Sequence, residues 1–429
     1  MYKDVCKFHY FLKSFGCQMN SADSDFIAGL LTARGFAESK DAETADVLLV
    51  NTCCVREKAE NRALAQIREY CAIKKKDSLL WVVGCAAQRA GEELKKKIPN
   101  IQRVIGAQEI EFIEEKIDEY LLPLGHFEVL PQKIKSKWSA FLPVMRGCNN
   151  FCTYCIVPFV RGREHCVKSA QICEQAQEIV AGGASEITLL GQNVNSYRDD
   201  NLDFADLLVK VSQTQGLKRL RFMTSHPKDI SEKLVETIAK TPNLCKHIHL
   251  PVQSGSSAVL EKMNRKYTRE QYLEKIAMIR KIIPDCDITT DAMVGFPDET
   301  QKQFDETVSL FEQVKFSFAF MFAYSQRDGT AAAACKERVQ ISQEEKLRRL
   351  AKLVEVQNSI TKDFYSSMIS KEFEVFFTLE QNKKNAHSWV GQDFGAKRIL
   401  VDTQQDLGGK IAKVKIINSS GMTLVGELV

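Results

Sequence analysis

The sequence lacks an apolar run that could cross a membrane. A membrane-spanning helix needs about 18 or more consecutive apolar residues, and no such run occurs among the 429 residues. The first residues, Met1 to Phe11, also lack the basic and then apolar stretches of a secretory leader. We therefore expect a cytoplasmic protein.

A large excess of one charge is also missing. The 59 basic residues exceed the 55 acidic ones by only 4, and hydrophobic residues make up 44% of the chain. These values are ordinary for globular proteins, which excludes a mainly disordered or fibrous chain. The sequence shows neither internal repeats nor low-complexity tracts, and its length suits about two to four domains. The small positive excess is compatible with an RNA partner but does not require one.

Cysteine, in contrast, is plentiful. The chain has 14 cysteines, and a reducing cytosol keeps thiols free, so a disulfide framework is not expected. The thiols are therefore inert buried side chains, catalytic groups or metal ligands. Their spacing along the chain has to decide between these alternatives.

The pattern of apolar residues predicts an α/β protein. From 6 to 122, short apolar strands alternate with amphipathic helices, which is typical of a doubly wound parallel sheet with helices on both faces. The segment 123–137 contains two prolines and three spaced lysines, and we interpret it as a linker. The sequence thus predicts an N-terminal domain that is separate from the rest of the chain.

Two further domains are predicted after the linker. The region 138–365 contains six candidate strands separated by helices, which indicates a partial (βα)6 barrel of the TIM type. From 366 to 429 the apolar pattern alternates at every second residue, as in Phe373, Val375 and Phe377, and short strands are separated by glycines. This pattern predicts a small antiparallel β-barrel.

The most specific motif consists of Cys148, Cys152 and Cys155, spaced C-x3-C-x2-C. Three thiolates at this spacing can hold a 4Fe–4S cluster and leave one iron open to a small molecule. The motif follows the first strand of the predicted barrel, where barrel enzymes place their chemistry. The alternative is a zinc site, which usually needs a fourth ligand. Candidates for that ligand are Cys166, Cys173 and His165.

A second group of cysteines is dispersed along the N-terminal region. Cys17, Cys53 and Cys85 each follow a short apolar strand. Because ligands of open α/β sheets bind outside the carboxyl ends of the strands, the three thiols should meet at one edge of the sheet. They could hold a second cluster with an open iron. The alternative is three unrelated small side chains, since free cysteine is commonly buried.

Together these motifs resemble one known family. The C-x3-C-x2-C loop with its flanks is similar to the motif of radical S-adenosylmethionine (SAM) enzymes. The chain looks like a member of the methylthiotransferase family because it also contains GCQMN, NTCCVREKAENR, GQNVNSY, LPVQSGS and VGFPDET. The resemblance covers essentially the whole chain. It implies an N-terminal methylthiotransferase domain, a radical SAM core and a C-terminal TRAM domain.

The resemblance implies two 4Fe–4S clusters and SAM as cofactors. The C-x3-C-x2-C cysteines would hold the cluster that cleaves SAM to a 5′-deoxyadenosyl radical. Cys17, Cys53 and Cys85 would hold an auxiliary cluster that carries the sulfur, and we expect Cys53 rather than its neighbour Cys54 to be the ligand. The radical would remove hydrogen from C2 of an adenine, whose C–H bond is too inert for acid–base catalysis. No catalytic side chain beyond the cluster ligands is expected.

The implied reaction adds a methylthio group to C2 of N6-isopentenyladenosine next to the anticodon of tRNA. Related enzymes act on threonylcarbamoyl-adenosine in tRNA or on an aspartate of a ribosomal protein, and both remain alternatives. A zinc-stabilised RNA-binding protein without catalysis is an alternative of a different class. The resemblance also implies an electron donor such as a flavodoxin or ferredoxin and a sulfur source, and we expect a monomer.

Seven residues at the ends of predicted barrel strands are expected to contact SAM. They are Gln192, Asn193, Ser225, Gln253, Ser254, Gly295 and Phe296. The chain departs from the family pattern at two nearby positions, because Asp298 stands where glycine is common and Asp328 where proline is common. Both departures put the local backbone geometry in question.

Contacts to tRNA phosphates would come from lysine and arginine side chains. Outside the C-terminal domain the candidates are Arg56, Lys58, Arg62, Lys133, Lys135, Lys137, Arg161 and Arg163. Inside it they are Lys383, Lys384, Lys397 and Arg398. Aromatic residues of that domain could stack on bases, although at least half of them should be core. They are Phe373, Phe376, Phe377, Trp389 and Phe394.

Overall fold

The computed structural model describes residues 8–55, 57–121, 138–335, 337–378 and 387–429. These residues form two compact units. The N-terminal unit contains the described residues up to 121 together with Arg146–Asn149 and Cys155–His165, and the C-terminal unit contains the others. No helix within the described ranges is both long and apolar enough to cross a bilayer.

The N-terminal unit is built on a five-stranded sheet. Its strands are β1 (His9–Ser14), β2 (Ala37–Glu38), β3 (Val47–Thr52), β4 (Leu79–Gly84) and β5 (Arg103–Gly106). The helices along this part of the chain are α1 (Gln18–Ala33), α2 (Glu57–Ile73), α3 (Cys85–Ala90), α4 (Glu93–Lys97) and α5 (Ile113–Leu121). The strand order is β2-β1-β3-β4-β5, and each pairing is parallel. The predicted parallel sheet is therefore confirmed.

Helices cover both faces of this sheet. Side chains that alternate along β3 point to opposite faces, so a strand buried on both sides is apolar throughout. Leu49 packs with Ile117 of α5 in one buried apolar cluster. Its neighbour Leu48 packs with Ile67 of α2 in a second cluster on the other face. This arrangement leaves the carboxyl ends of the strands free for a functional site.

The chain then continues through the central strands and helices. The strands are β6 (Ser139–Pro143), β7 (Met145–Arg146), β8 (His165–Cys166), β9 (Glu186–Leu190), β10 (Arg198–Asp199), β11 (Leu202–Asp203), β12 (Arg219–Phe222), β13 (His247–His249), β14 (Asp287–Val294) and β15 (Phe318–Ala323). The helices are α6 (Val157–Arg161), α7 (Ser169–Ala181), α8 (Phe204–Ser212), α9 (Glu232–Lys240), α10 (Ser257–Lys262), α11 (Arg269–Ile282), α12 (Gln301–Val314), α13 (Ala331–Ala334) and α14 (Gln343–Ser366).

Six of these strands form the predicted partial barrel. They pair in parallel as β6-β9-β12 and as β13-β14-β15. A parallel bridge between Leu220 and Leu244 connects the two groups. Helices alternate with the strands along the sequence, as expected for a (βα)6 barrel. The carboxyl ends of these strands carry the residues predicted to bind SAM.

The C-terminal strands form a closed barrel. They are β16 (Glu372–Phe376), β17 (Ser388–Gln392), β18 (Arg398–Asp402), β19 (Ile411–Ser420) and β20 (Thr423–Leu428). Their order around the barrel is β16-β17-β18-β20-β19, and β18 pairs with β20 in parallel. The closed barrel confirms the prediction, but the expectation that it is purely antiparallel is wrong. Five strands in a ring cannot all alternate in direction, so at least one pairing must be parallel.

The C-terminal barrel is docked against the N-terminal ends of the central strands. Arg221 of β12 donates to the backbone carbonyls of Gly395 and Asp393. Arg219 of the same strand donates to the carbonyl of Gln392 at 2.6 Å. Because the C-terminal barrel occupies this end, the opposite end of the central barrel is left for ligands.

Candidate functional site

The predicted cysteines of the N-terminal unit meet at the carboxyl edge of its sheet. Cys17 lies between β1 and α1, Cys53 and Cys54 follow β3, and Cys85 begins α3 directly after β4. Strands β1, β3 and β4 are neighbours in the sheet. Cys53, Cys54 and Cys85 are buried, whereas Cys17 is exposed. The topology therefore brings together the three thiols that the sequence selected, and a fourth.

The four thiols form two hydrogen-bonded pairs. The bond with Cys53 is the largest influence on Cys17 and lowers the pKa of its thiol to about 6. A similar bond with Cys54 lowers the pKa of Cys85. The pKa of Cys53 and that of Cys54 are raised by the same bonds and by burial. One sulfur in each pair is therefore favoured as a thiolate, which is the form that binds iron.

Glycines allow the loops that carry these cysteines to approach. Gly16 has a φ of +117°, and a Cβ placed there would lie 2.3 Å from Cβ of Cys53. Gly84 has a φ of +96°, and a Cβ there would lie 2.3 Å from Oδ1 of Asn51. L-amino acids with a side chain rarely adopt such angles. Glycine at both positions is thus required by space as well as by backbone conformation.

Asn20 joins two of the cysteine loops. Its Oδ1 accepts a hydrogen bond from Sγ of Cys17 at 3.2 Å. Its Nδ2 donates to Oδ1 of Asn51 and to the carbonyl of Thr52, both at 2.9 Å. Thr52 directly precedes Cys53, so one buried amide fixes the position of both loops. The sequence analysis did not select Asn20, although it lies in the GCQMN segment.

A buried arginine also lies at the thiols. Arg161 ends α6, and its side chain is only 4% exposed. Its Nη2 lies 3.0 Å from Oδ2 of Asp23 and 3.4 Å from Oδ1 of Asn20. The expectation that Arg161 contacts RNA phosphate is therefore wrong, because its guanidinium is enclosed within the N-terminal unit.

The C-x3-C-x2-C loop follows β7. Cys148 and Cys152 are buried, and Cys155 is partly exposed. Cys148 and Cys155 belong to the N-terminal unit, and Cys152 belongs to the C-terminal unit. Within the C-terminal unit, Nη1 of the buried Arg265 lies 3.3 Å from Sγ of Cys152. The sequence offers no signal that distinguishes Arg265 from the other arginines.

Among the described residues, no three His, Cys, Asp or Glu side chains are grouped as ligands of a single metal ion. An iron–sulfur cluster is a larger object, and each of its thiolate ligands binds a different iron. The donor set at the edge of the N-terminal sheet consists of thiols alone, which is the chemistry that such clusters use. The side chains at this edge are therefore of the chemical type that binds an iron–sulfur cluster.

The strand ends of the central barrel carry buried polar atoms that have no hydrogen-bond partner among the described residues. Among the predicted SAM residues these atoms are Oε1 of Gln192, Oδ1 of Asn193 and Oγ of Ser225. A buried polar group without a partner costs about 1–3 kcal/mol. All three follow β9 or β12, so a polar ligand at this end of the barrel would satisfy them. The site thus fits the amine and carboxylate of an amino acid such as the methionine part of SAM.

His226, which the sequence analysis missed, adds a fourth such atom. Its Nδ1 accepts a hydrogen bond from the backbone N–H of Lys228 at 3.2 Å, so the proton of the neutral ring lies on Nε2. That Nε2 is buried and has no hydrogen-bond partner within the described ranges. Burial, and then the positive charges of Arg265 and Lys228, lower the pKa of His226 to about 2. The ring is therefore a neutral donor at the site.

The other predicted SAM residues have contacts of their own within the protein. Gln253 has a φ of +68° and forms a parallel bridge with Ala292 of β14. Ser254 is completely buried, with Oγ 3.3 Å from Oγ1 of Thr307. Gly295 directly follows β14, and its N–H donates to Glu299 at 2.6 Å. Their contacts with SAM stay predictions.

Phe296 belongs to a buried apolar cluster. Its ring packs edge-to-face on that of Tyr324, with centroids 5.4 Å apart. Val259 and Met263 complete its surroundings within that cluster. Its side chain thus supports the loop after β14, and a contact with SAM stays a prediction.

The two departures from the family pattern have local explanations. Asp298 has a φ of +63°, a conformation in which glycine is unstrained. Its Oδ1 accepts a hydrogen bond from the backbone N–H of Val339 at 2.7 Å, which holds the side chain in this turn. Asp328 is exposed in a turn before Gly329. Aspartate is therefore accommodated at both positions.

Of the expected RNA contacts of the C-terminal barrel, that of Lys397 is wrong, whereas the expectation that at least half of the aromatic candidates are core is confirmed. Lys397 is buried and paired with Asp287 and Asp393, and Phe376 is core. The other buried aromatic candidates are Phe377 and Trp389. Phe394 lies beneath Arg219, with the guanidinium 4.4 Å from its ring centroid.

Other candidates keep their status as predictions. Arg62, Arg163 and Arg398 are exposed, and Phe373 is partly buried. The following lie outside the described residues or side chains: Arg56, Lys58, Lys133, Lys135, Lys137, Lys383 and Lys384.

Comparison with known proteins connects this geometry to a family. Residues 9–106 match the family described as "Uncharacterized protein family UPF0004", and residues 142–311 match the radical SAM superfamily. The tRNA-2-methylthio-N(6)-dimethylallyladenosine synthase of Desulfitobacterium hafniense is 42% identical over 431 residues, which is 96% of this chain and 96% of that protein. The protein of the same name from Thermoanaerobacter pseudethanolicus is 40% identical over 98% of this chain and 93% of its own.

Solved structures show the same fold at much lower identity. The radical SAM methyltransferase TsrM from Kitasatospora setae is 14% identical, with a TM-score of 0.56 over 76% of this chain and 77% of that chain. The cobalamin-dependent radical SAM enzyme OxsB is 13% identical, with a TM-score of 0.51 over 83% of this chain and 56% of that chain. At these identities the likeness supports the fold alone.

Proposed function

Because the chain belongs to the family of tRNA-2-methylthio-N(6)-dimethylallyladenosine synthases, we propose that it adds a methylthio group to C2 of N6-isopentenyladenosine next to the anticodon of tRNA. The observation that carries the proposal is the meeting of Cys17, Cys53 and Cys85 at one sheet edge, in a chain that also contains the C-x3-C-x2-C loop. Two separate groups of three cysteines supply the ligands for two clusters with different tasks.

When bound, the two 4Fe–4S clusters and SAM supply the electron, the 5′-deoxyadenosyl radical and the sulfur. Cys148, Cys152 and Cys155 hold one cluster, and Arg265 stabilises the thiolate of Cys152 by a hydrogen bond at 3.3 Å. Cys17, Cys53 and Cys85 hold the auxiliary cluster. The protein thus supplies thiolates in two places and, at the C-x3-C-x2-C loop, the buried Arg265.

The strand ends of the central barrel orient SAM. Oε1 of Gln192 and Oδ1 of Asn193 are acceptors for its ammonium group, and the N–H of His226 is a donor for its carboxylate. Nδ2 of Asn193 is held by Oδ2 of Asp229 at 2.8 Å, which fixes the direction in which Oδ1 points. These side chains are positioned before SAM binds, which reduces the entropy cost of ordering them.

The proposed partners follow from the reaction. The anticodon stem-loop of tRNA is the substrate, a flavodoxin or ferredoxin is the electron donor, and a separate sulfur source reloads the auxiliary cluster. The enzyme acts as a cytoplasmic monomer.

Iron analysis after anaerobic reconstitution tests the assignment of the clusters. The wild-type protein should bind about eight irons, four per cluster. Replacing either group of three cysteines by alanine should remove about half of them. A protein that keeps all its iron after the substitution Cys17→Ala/Cys53→Ala/Cys85→Ala would show that the auxiliary ligands are assigned wrongly. Zinc in place of iron and sulfide would favour the RNA-binding alternative.

Product analysis tests the division of tasks and the substrate. The variant without the N-terminal cysteines should still cleave SAM to 5′-deoxyadenosine, but it should form no methylthio product on isopentenylated tRNA. The variant without Cys148, Cys152 and Cys155 should do neither. Circular dichroism controls for unfolding, because loss of a cluster can disturb a fold. Product on threonylcarbamoylated but not on isopentenylated RNA would assign the chain to the other branch.

A further inference from the structure

We propose that Arg161 is the counter-cation of the auxiliary cluster and of the sulfur anion that this cluster carries. The proposal rests on the assignment of Cys17, Cys53 and Cys85 as cluster ligands. It gives a role in sulfur binding to a residue outside the six cysteines. The supporting observations are the position of the guanidinium, its unused donor and the balance of charge around it.

The guanidinium lies next to the thiols. Oδ1 of Asn20 lies 3.2 Å from Sγ of Cys17 and accepts a hydrogen bond from Nη2 of Arg161 at 3.4 Å. One acceptor atom therefore connects the arginine to a proposed iron ligand. Since Asn20 is completely buried, this connection is enclosed in the protein.

One nitrogen of Arg161 is unused by the protein. Nη1 is buried and has no hydrogen-bond partner in the part of the chain that the structure describes, whereas Nη2 is occupied by Asp23 and Asn20. A buried N–H group of a charged side chain is costly to leave without an acceptor. A sulfur atom of a cluster, or an anion bound to its open iron, would be such an acceptor.

The surrounding ion pairs join two arginines to two carboxylates, so no further carboxylate of this group is left for Arg161. Asp23 is completely buried and is shared between two arginines, since it also lies 2.7 Å from Nη1 of Arg146. Arg146 has Glu111 as a second partner, with Nε and Oε1 3.0 Å apart. Arg161 thus shares the carboxylate of Asp23 with Arg146, and Arg146 has Glu111 as a second carboxylate partner.

Electrostatic surroundings keep Arg161 charged. A guanidinium stays protonated in proteins, and the buried carboxylate of Asp23, 3.0 Å away, stabilises its charge. Three thiolates outweigh the positive charge of an oxidised 4Fe–4S core, so the site is anionic and becomes more so with each electron or sulfur anion added. A buried charge is stable only when a counter-charge accompanies it. Arg161 fulfils that requirement.

The test isolates the auxiliary cluster in the full-length chain. Cys148, Cys152 and Cys155 are replaced by alanine, and the protein is reconstituted anaerobically. Into this background we introduce Arg161→Gln, which removes the charge but keeps an amide donor, and Arg161→Lys, which keeps the charge. Arg34→Gln is the matched control, because Arg34 is also a buried arginine of the N-terminal unit, paired with Glu114 and Asp118 away from the thiols.

Two properties of the cluster are measured. The midpoint potential, followed by electron paramagnetic resonance, should become more negative in the glutamine variant. The reduced cluster carries more negative charge than the oxidised one, and this variant lacks the positive charge that stabilises it. The affinity for added hydrosulfide should fall about tenfold, the effect of one charge-assisted hydrogen bond. The lysine variant should recover most of both properties, and the Arg34 control should equal the unsubstituted background.

The outcomes separate this proposal from the proposed function. If the glutamine variant keeps its iron and shows unchanged potential and hydrosulfide affinity, Arg161 is not the counter-cation. If the glutamine variant loses its cluster while the lysine variant keeps it, the role of charge is supported. If both lose it, the guanidinium is needed only for the fold and the proposal is wrong. If about four irons persist when Cys17, Cys53 and Cys85 are also replaced in the background that lacks Cys148, Cys152 and Cys155, the ligand assignment itself is overturned.

Discussion

Lys397 of the C-terminal barrel and Asp287 of the central barrel form a buried ion pair. Nζ and Oδ2 are 2.7 Å apart, and the side chains are 8% and 2% exposed. Lys397 also lies 2.7 Å from Asp393. Burial acts to lower the pKa of Lys397, but Asp287 and Asp393 raise it above its ordinary value. The pair joins the first residue of β14 to the loop after β17.

We predict that Lys397→Met will destabilise the C-terminal unit by about 3–5 kcal/mol, because the substitution leaves two buried carboxylates without a counter-charge. Urea denaturation and limited proteolysis after β17 measure the loss. Lys240→Met is the matched control, since Lys240 pairs with Glu236 at the surface and such pairs contribute less than about 1 kcal/mol. Equal stability of the two variants would contradict a role for this pair in docking the barrel.

We predict that His226 makes stability depend on pH. Its pKa is about 2 in the folded protein and ordinarily 6.5. Below pH 6.5 the unfolded chain binds a proton that the folded chain does not bind. The free energy of unfolding that depends on a neutral His226 is therefore fully present above pH 6.5. It is lost as pH falls toward 2, at up to about 1.4 kcal/mol per pH unit.

His226→Gln should reduce this slope between pH 6.5 and pH 5, with denaturation midpoints as the measurement. Part of the slope should remain, because burial also lowers the pKa of His247. The control is His9→Gln, at a side chain that is 45% exposed. An unchanged slope in the His226 variant would mean that the buried ring is protonated in the folded protein.

We predict that Ser225→Ala weakens SAM binding without loss of stability. Oγ of Ser225 is buried and has no hydrogen-bond partner among the residues that the structure describes, so removing it from the SAM-free protein should be neutral or slightly stabilising. The lost hydrogen bond should lower the affinity for SAM about five- to tenfold. Calorimetric titration checks this result against Ser212→Ala, whose hydroxyl bonds to Val209 on α8. Unchanged affinity would remove Ser225 from the SAM site.

We predict that Cys53 and Cys54 differ in role although both are buried. Cys54 packs in an apolar cluster with Ile156 and Val160, so Cys54→Ala should keep about eight irons and cost about 1 kcal/mol of stability. Cys53 forms a hydrogen bond with Cys17, and the variant Cys53→Ala should lose about four irons. Cys54 forms a hydrogen bond with Cys85. If Cys54→Ala loses iron and Cys53→Ala does not, the ligand role therefore belongs to Cys54.

The sequence by itself determined the architecture and the meeting of Cys17, Cys53 and Cys85 at one edge of the sheet. Apolar residues fill β3 and β4 without interruption, which is the pattern of a parallel strand covered on both faces. Cys17, Cys53 and Cys85 follow the parallel strands β1, β3 and β4, which are neighbours in the sheet. They lie at one edge of the sheet, because parallel strands all end on the same side. These properties follow from local periodicity and chain direction, so they are visible without a structure.

Only the tertiary structure decided which charged residues are buried. Lys397 and Arg161 were both expected to contact RNA at the surface, yet their partners Asp287 and Asp23 lie 110 and 138 residues away along the chain. No local pattern reports such a pairing, because it depends on how separately formed elements pack. The same holds for Asn20, whose amide connects two loops only after β1 and β3 are adjacent. Sequence periodicity specifies each element, whereas the burial of a charge is set by what the element meets.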